Sequence, residues 1–164
     1  MTFSSSRVHY AWIVLTIGTL AVFGALGLAR FGYTVVLSTM QASLGLDNTQ
    51  AGGLATANLI GYLALSAIGG ALAARYGPRK VIALGLILTG VGMLLTGLAH
   101  GFLSAAIWRA LTGIGSGATN VSVMGMMAAW FTTRRRGLAS GIAVAGSSLG
   151  LIFVGPLAPR LLAA

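Results

Sequence analysis

Five apolar stretches run through this 164-residue chain, and the segments joining them alternate between basic and empty of basic charge. Arg7 precedes the first stretch, Arg75, Arg79 and Lys80 separate the second from the third, and Arg134, Arg135 and Arg136 separate the fourth from the fifth. The connections around Gln41 to Gln50 and at His100-Gly101 contain no Lys or Arg. Lys and Arg collect in the cytoplasmic loops of membrane proteins, so the alternation predicts five crossings with the N-terminus inside. A crossing needs about 20 apolar residues for a hydrocarbon core roughly 30 Å thick. The spans are predicted over residues 11–40, 54–74, 81–99, 102–131 and 138–162, the first interrupted by Arg30. Lipid offers the backbone no hydrogen bonds, so each span must satisfy its own as a helix. The expected fold class is an all-α integral membrane bundle.

Composition narrows the function. At 57% hydrophobic and 7% charged residues, the chain lies outside the range of soluble domains. A net charge of +9 could suggest nucleic acid, but the basic residues flank apolar spans instead of forming one amphipathic face, so no nucleic-acid partner is expected. The absence of Cys excludes disulfides, thiol catalysis and Cys-held metals. His9 and His100 have no acidic or His neighbour at ligand spacing and read as interface residues. Asp47 is the sole carboxylate side chain, which rules out acid/base chemistry by a carboxylate pair. Lys80 is followed by Val81, so no phosphate-binding Lys-Ser or Lys-Thr turn is present. No enzyme activity, cofactor or metal is expected.

The ends and faces of the spans carry further signals. Tyr10, Trp12, Tyr76, Trp130 and Phe131 fall at the predicted cytoplasmic boundary, where amphipathic rings settle. Asn48 or Thr49 is placed to cap the second span. Gly113, Gly115 and Gly117 cluster in span four, and Gly137/Gly141 and Gly146/Gly150 are spaced four apart in span five. Such spacing lets helices approach closely, so span five is expected beside another helix. Met124, Met126 and Met127 read as packing residues.

Three segments carry a family resemblance. The stretch from Gly70 through Leu72, Arg75, Gly77 and Arg79 to Lys80 resembles the loop between helices two and three of the major facilitator superfamily. Ala74 stands where that pattern has an acid, and Pro78 where it has a basic residue. Arg109, Gly113, Gly115 and Gly117 are similar to the family's helix-four motif. The segment from Trp130 through Arg134, Arg135 and Arg136 to Gly150 is similar to helices four and five of monocarboxylate-transporter-like members and uncharacterised bacterial permeases. The resemblance implies a multi-pass protein of a bacterial inner membrane. It implies gating by the loop of Gly70, Leu72, Arg75, Gly77 and Arg79, with any relay through the acid absent or rebuilt at Ala74. Members have twelve helices in two halves, so five helices reach into the first half, and the implied partners are the lipid bilayer, a small solute and the C-terminal half.

Two charges fall inside the spans, where such residues default to functional hypotheses. Counting from Met40 at about 1.5 Å per residue puts Arg30 roughly 15 Å deep, near the midplane. Arg109 lies only about 10 Å beyond Phe102 by the same rise, which suits snorkelling to the outer interface or helix packing. Helical spacing puts Gly27, Arg30, Tyr33 and Thr34 on one face, Asn58, Gly61, Tyr62 and Leu65 on another, and Arg109, Gly113, Ser116 and Asn120 on a third. These faces are expected to wall a cavity in which Arg30, Tyr33, Thr34, Asn58, Tyr62 and Asn120 contact substrate. In monocarboxylate-transporter-like relatives a basic residue of helix one meets the substrate carboxylate, which the resemblance carries to Arg30.

The leading expectation is a secondary transporter of a small organic anion such as a monocarboxylate, or a piece of one. A multidrug or sugar permease, and a non-transporting membrane scaffold, are the alternatives. The loop alternation makes a direct prediction, testable because the chain lacks Cys. Cysteines placed at Asp47 and His100 should react with an impermeant thiol reagent on intact cells, and those at Arg79 and Arg135 should not. External labelling at position 135 would overturn the orientation.

Overall fold

The computed structural model describes the backbone over 5–162 and the side chains over 10–157. The Arg7 and His9 side chains, expected as a basic flank and an interface residue, lie outside the described residues. The first span is one continuous helix in three parts. These are α1 (Ser5–Val22), a π-helical stretch over Phe23–Phe31, and α2 (Gly32–Leu44). Spans two to five are α3 (Asn48–Tyr76), α4 (Pro78–Gly97), α5 (Phe102–Trp130) and α6 (Thr133–Leu162).

The helices outrun the apolar segments because their caps lie in polar sequence. Asp47, not Asn48 or Thr49, caps α3: its carboxylate accepts from Gln50 N–H at 2.6 Å, and its own N–H donates to Gln50 Oε1 at 3.2 Å. Gly77 closes α3 at φ +87°, a region L side chains avoid, and Pro78 opens α4 where a missing N–H costs nothing.

Among the described residues, four helices are long and apolar enough to cross a membrane: Tyr10–Leu44, Asn48–Tyr76, Pro78–Gly97 and Thr133–Leu157. Helix α5, expected as the fourth of five spans, is not among them. It carries Arg109, Thr112, Ser116, Thr119 and Ser122, all buried, because its neighbours surround it. The outward faces are apolar instead, with Leu20, Ile60, Leu84, Leu94 and Ile152 more than 60% exposed. A bundle with its polar side inward and its apolar side outward fits lipid, not water.

Glycine sets how closely α5 is approached. A Cβ on Gly113 would strike the Asn58 carbonyl and the Tyr62 nitrogen of α3, and one on Gly117 would strike the Tyr62 carbonyl. Gly115, a half-turn around, faces α4, where a Cβ would lie 2.7 Å from the Thr89 nitrogen. In α6 the pattern divides. Gly146 and Gly150 press on Thr19 and Gly27 of the first span, whereas Gly137 and Gly141 have nothing within 4 Å. The expectation of close packing therefore holds for one pair only, since the N-terminal part of α6 has no neighbour on that face. Met126 and Met127 pack in the core with Val14, Leu15, Val22 and Val123, and Met124 lies against it.

The two ends of the bundle differ in chemistry. At the basic end, Arg79 Nη2 donates to the Tyr10 hydroxyl at 2.8 Å, Tyr10 packs on Trp130 at 5.1 Å between centroids, and Trp12 meets Phe131 edge-on. Arg136 Nη2 donates to the Ala128 carbonyl near the end of α5. At the other end Phe102, Met40 and Leu46 close over Leu54 and Ala105.

The glycine contacts make a stability prediction. Gly113→Ala should cost about 1–3 kcal/mol, the usual range for overpacking a tight interior. Gly141→Ala should be neutral or slightly stabilising, because alanine favours helix and the site is open. Thermal unfolding of the purified variants in one detergent compares them directly; equal melting temperatures would contradict the packing described.

Candidate functional site

Arg30 emerges from the π-helical stretch, half-buried, with its guanidinium carbon 4.7 Å from the centroid of the Tyr62 ring and 6.0 Å from that of Phe31. A cation over an aromatic face is a favourable contact that leaves the N–H edge free for another acceptor. Tyr62 is in turn held by Asn120, whose Nδ2 donates to the phenol oxygen at 2.8 Å. The first span, α3 and α5 thus meet through one side chain each.

Of the two roles that depth allowed it, snorkelling and helix packing, Arg109 takes the position of a packing residue. It is 2% exposed and reaches no interface. Its Nη1 donates to the Ala29 carbonyl at 3.1 Å, and its guanidinium lies 3.7 Å from the centroid of Tyr33. Asn58, buried on α3, donates Nδ2 to the Arg109 carbonyl at 3.0 Å. Rise per residue gave the depth of Arg109 but not its azimuth, and the azimuth points at the first span.

These groups converge on a cavity of about 310 Å³, lined among others by Arg30, Tyr33, Thr34, Thr56, Asn58 and Arg109. The cavity brings together four of the six residues expected to contact substrate. Tyr62 and Asn120 stand behind Arg30 as its support. Thr34 spends its hydroxyl proton on the Phe31 carbonyl at 2.6 Å, so towards a ligand it offers an acceptor. Ser116, expected on this face, is fully buried and bonded within α5 to Gly113.

The charge balance of the wall is uneven. Arg30 and Arg109 contribute two cations, and the one carboxylate side chain of the chain, Asp47, is engaged in the α3 cap. Three polar atoms around the cavity are buried without a partner: the Tyr33 hydroxyl, Arg109 Nε and Asn120 Oδ1. Buried polar atoms are normally satisfied, and those that are not are often ligand sites.

The remaining motif residues lie elsewhere. Gly70, Leu72, Arg75, Gly77 and Arg79 belong to the basic end: Gly77 makes the turn, Arg75 lies 5.4 Å over Tyr76, and Arg79 holds Tyr10. Ala74, where an acid would stand, is exposed and offers these arginines no charge. Of the helix-four motif, Gly113, Gly115 and Gly117 serve packing and only Arg109 reaches the cavity. Sequence reasoning placed Arg109 on a cavity-walling face but missed the π-helical stretch and the contact of Arg109 with it. The only trace of the former was the run of glycines at 18, 24, 27 and 32 in the first span.

The arrangement is that of a multi-pass helical membrane protein with a polar cavity against its central helix. The family model for the Major Facilitator Superfamily matches residues 11–164, and the chain belongs to that superfamily. It is 33% identical over 135 residues to Probable anion transporter 3, chloroplastic, of Arabidopsis thaliana, covering 81% of this chain and 26% of that protein. It is 29% identical to the probable sulfoacetate transporter SauU of Cupriavidus necator, over 82% of this chain and 31% of that protein. It is 38% identical to Monocarboxylate transporter 13 of Bos taurus, over 59% of this chain and 23% of that protein. The chain spans less than a third of the length of these curated relatives.

Proposed function

We propose that this chain forms part of the wall of a secondary transporter that binds a small organic anion, with Arg30 as the anchor. The observation that carries the reading is the pairing of Arg30 and Arg109 in one cavity with no carboxylate opposite them. A guanidinium presents a planar, always-charged fork that matches a carboxylate or sulfonate. Tyr33, Thr34 and Asn58 line the space beside that fork, and Tyr62 and Asn120 hold Arg30 in place. A cavity of about 310 Å³ is at the small end of ligand sites. Relatives named for anions, sulfoacetate and monocarboxylates support the same class. The basic end, with its aromatic belt, faces the cytoplasm in this reading, in a bacterial inner membrane, and Gly70 to Arg79 form a gating loop there.

Binding to the purified chain in lipid nanodiscs tests the anchor. Sulfoacetate and lactate are the probes, with glucose as the uncharged control, followed by isothermal calorimetry. Arg30→Gln should weaken anion binding by well over tenfold, since loss of one partner of a desolvated charge pair costs about 2–5 kcal/mol. Arg30→Lys should do less harm, keeping the charge and losing the fork. Anion binding that survives Arg30→Gln, glucose binding as strong as either anion's, or no anion binding at all would overturn the proposal.

A further inference from the structure

A π-helix normally appears as a single wide turn inside an α-helix, whereas here it runs over nine residues, Phe23–Phe31. Its wider winding gives poorer packing along its own axis, so a stretch of this length needs support from outside. Two supports are visible, one from α6 and one from α5. In the first, Gly27 meets the backbone of Gly150 so closely that a Cβ would fall 2.8 Å from its Cα, and Gly32 faces Val154. In the second, Arg109 bonds to the Ala29 carbonyl while its guanidinium stacks on Tyr33.

The second support is an unusual use of a charge. Arg109 is 2% exposed, its Nε lacks a partner, and a single backbone carbonyl accepts from its Nη1. Burying a cation on so few contacts is costly. The contacts it does make bracket Arg30: Ala29 immediately before it, and Tyr33 three residues on. We propose that Arg109 is a positioning residue that holds the first span in its π-wound register and thereby aims Arg30 into the cavity. Rewinding a turn from i→i+5 to i→i+4 bonding removes one residue from that turn. Everything beyond then rotates by about 100° relative to what precedes it. Such a rotation would carry Arg30 off the Tyr62 ring and away from the cavity.

The test reads register without any ligand, so it stands or falls separately from the anion reading. Single cysteines replace residues 26–37 one at a time in the Cys-free chain, reconstituted in liposomes and treated with a charged, water-soluble thiol reagent. With Arg109 present, the reactive positions should fall among those that line the cavity, 30, 31, 33, 34 and 37, with 29 and 32 protected. In an Arg109→Met background the maxima should move to neighbouring positions, while a cysteine at Thr56, across the cavity on α3, stays reactive. Arg109→Lys keeps a donor for the Ala29 carbonyl and should retain most of the original pattern. An unchanged pattern in Arg109→Met overturns the proposal. Should that variant not fold, Tyr33→Leu decides, because it removes only the stacking face. A labelling pattern unmoved by Tyr33→Leu overturns the proposal equally.

Discussion

The bundle depends on bare backbone at the crossings of α5. Helices in lipid gain nothing from burying apolar side chains against one another, because the lipid is as apolar as they are. Association must come from close van der Waals contact, and contact is closest where side chains are missing. Gly113 and Gly117 supply that surface towards α3, and Gly115 towards α4. The partners answer in kind: Gly61 meets the Ala110 carbonyl, and Gly85 and Gly92 meet α5 beside Thr119 and Thr112. With α5 clamped on two sides, its polar residues are held away from lipid without needing apolar cover of their own.

This clamp explains how so many hydroxyls are tolerated inside. Thr89, Thr96, Thr112 and Thr119 each donate to the carbonyl four residues back, so each carries its own partner wherever the helix goes. Four buried polar atoms among the described residues lack partners, and one of them, Ser122 Oγ, is a short hydroxyl of α5 itself. The Tyr33 hydroxyl, Arg109 Nε and Asn120 Oδ1 sit on long or planar groups that cannot fold back on their own helix. Tyr33 and Arg109 line the cavity with Arg30, and Asn120 holds the Tyr62 ring against which Arg30 lies, so three of the four unpartnered atoms gather around that arginine.

Much of this was legible in the sequence, and the failures have physical causes. Period and charge placement located the helices and the two chemically distinct ends, because bilayer thickness and loop charge act through simple counts. Helical spacing also gathered Arg30, Tyr33, Thr34 and Asn58 on one cavity. Helix starts were placed too late at α3, since an apolarity threshold cannot see a cap such as Asp47 that lies in polar sequence. Helix α5 was expected as an apolar span, although a surrounded helix has no need to be apolar. The π-helical stretch left little trace in the sequence, because its closest contacts, with Gly150 and Arg109, come from residues far away along the chain. That hidden shift in register also obscured the partnership of Arg109 with Ala29.

The choice of arginine at position 109 follows from what surrounds it. A lysine could bond to the Ala29 carbonyl, but its ammonium is a compact point charge without a plane to lie against Tyr33. Guanidinium spreads its charge over a flat group that tolerates an aromatic face and is more weakly hydrated, which lowers the cost of enclosing it. Arg30 lines the same cavity, so its charge repels that of Arg109 through an interior of low dielectric. An empty cavity therefore holds repulsion that an anion between the two would relieve. In the anion reading, the free energy gained on binding includes this relief as well as the direct contacts. A ligand shifts a conformational equilibrium only by its differential interaction with the two states. Two like charges lining one cavity make that difference depend on how far apart the two guanidinium groups stand.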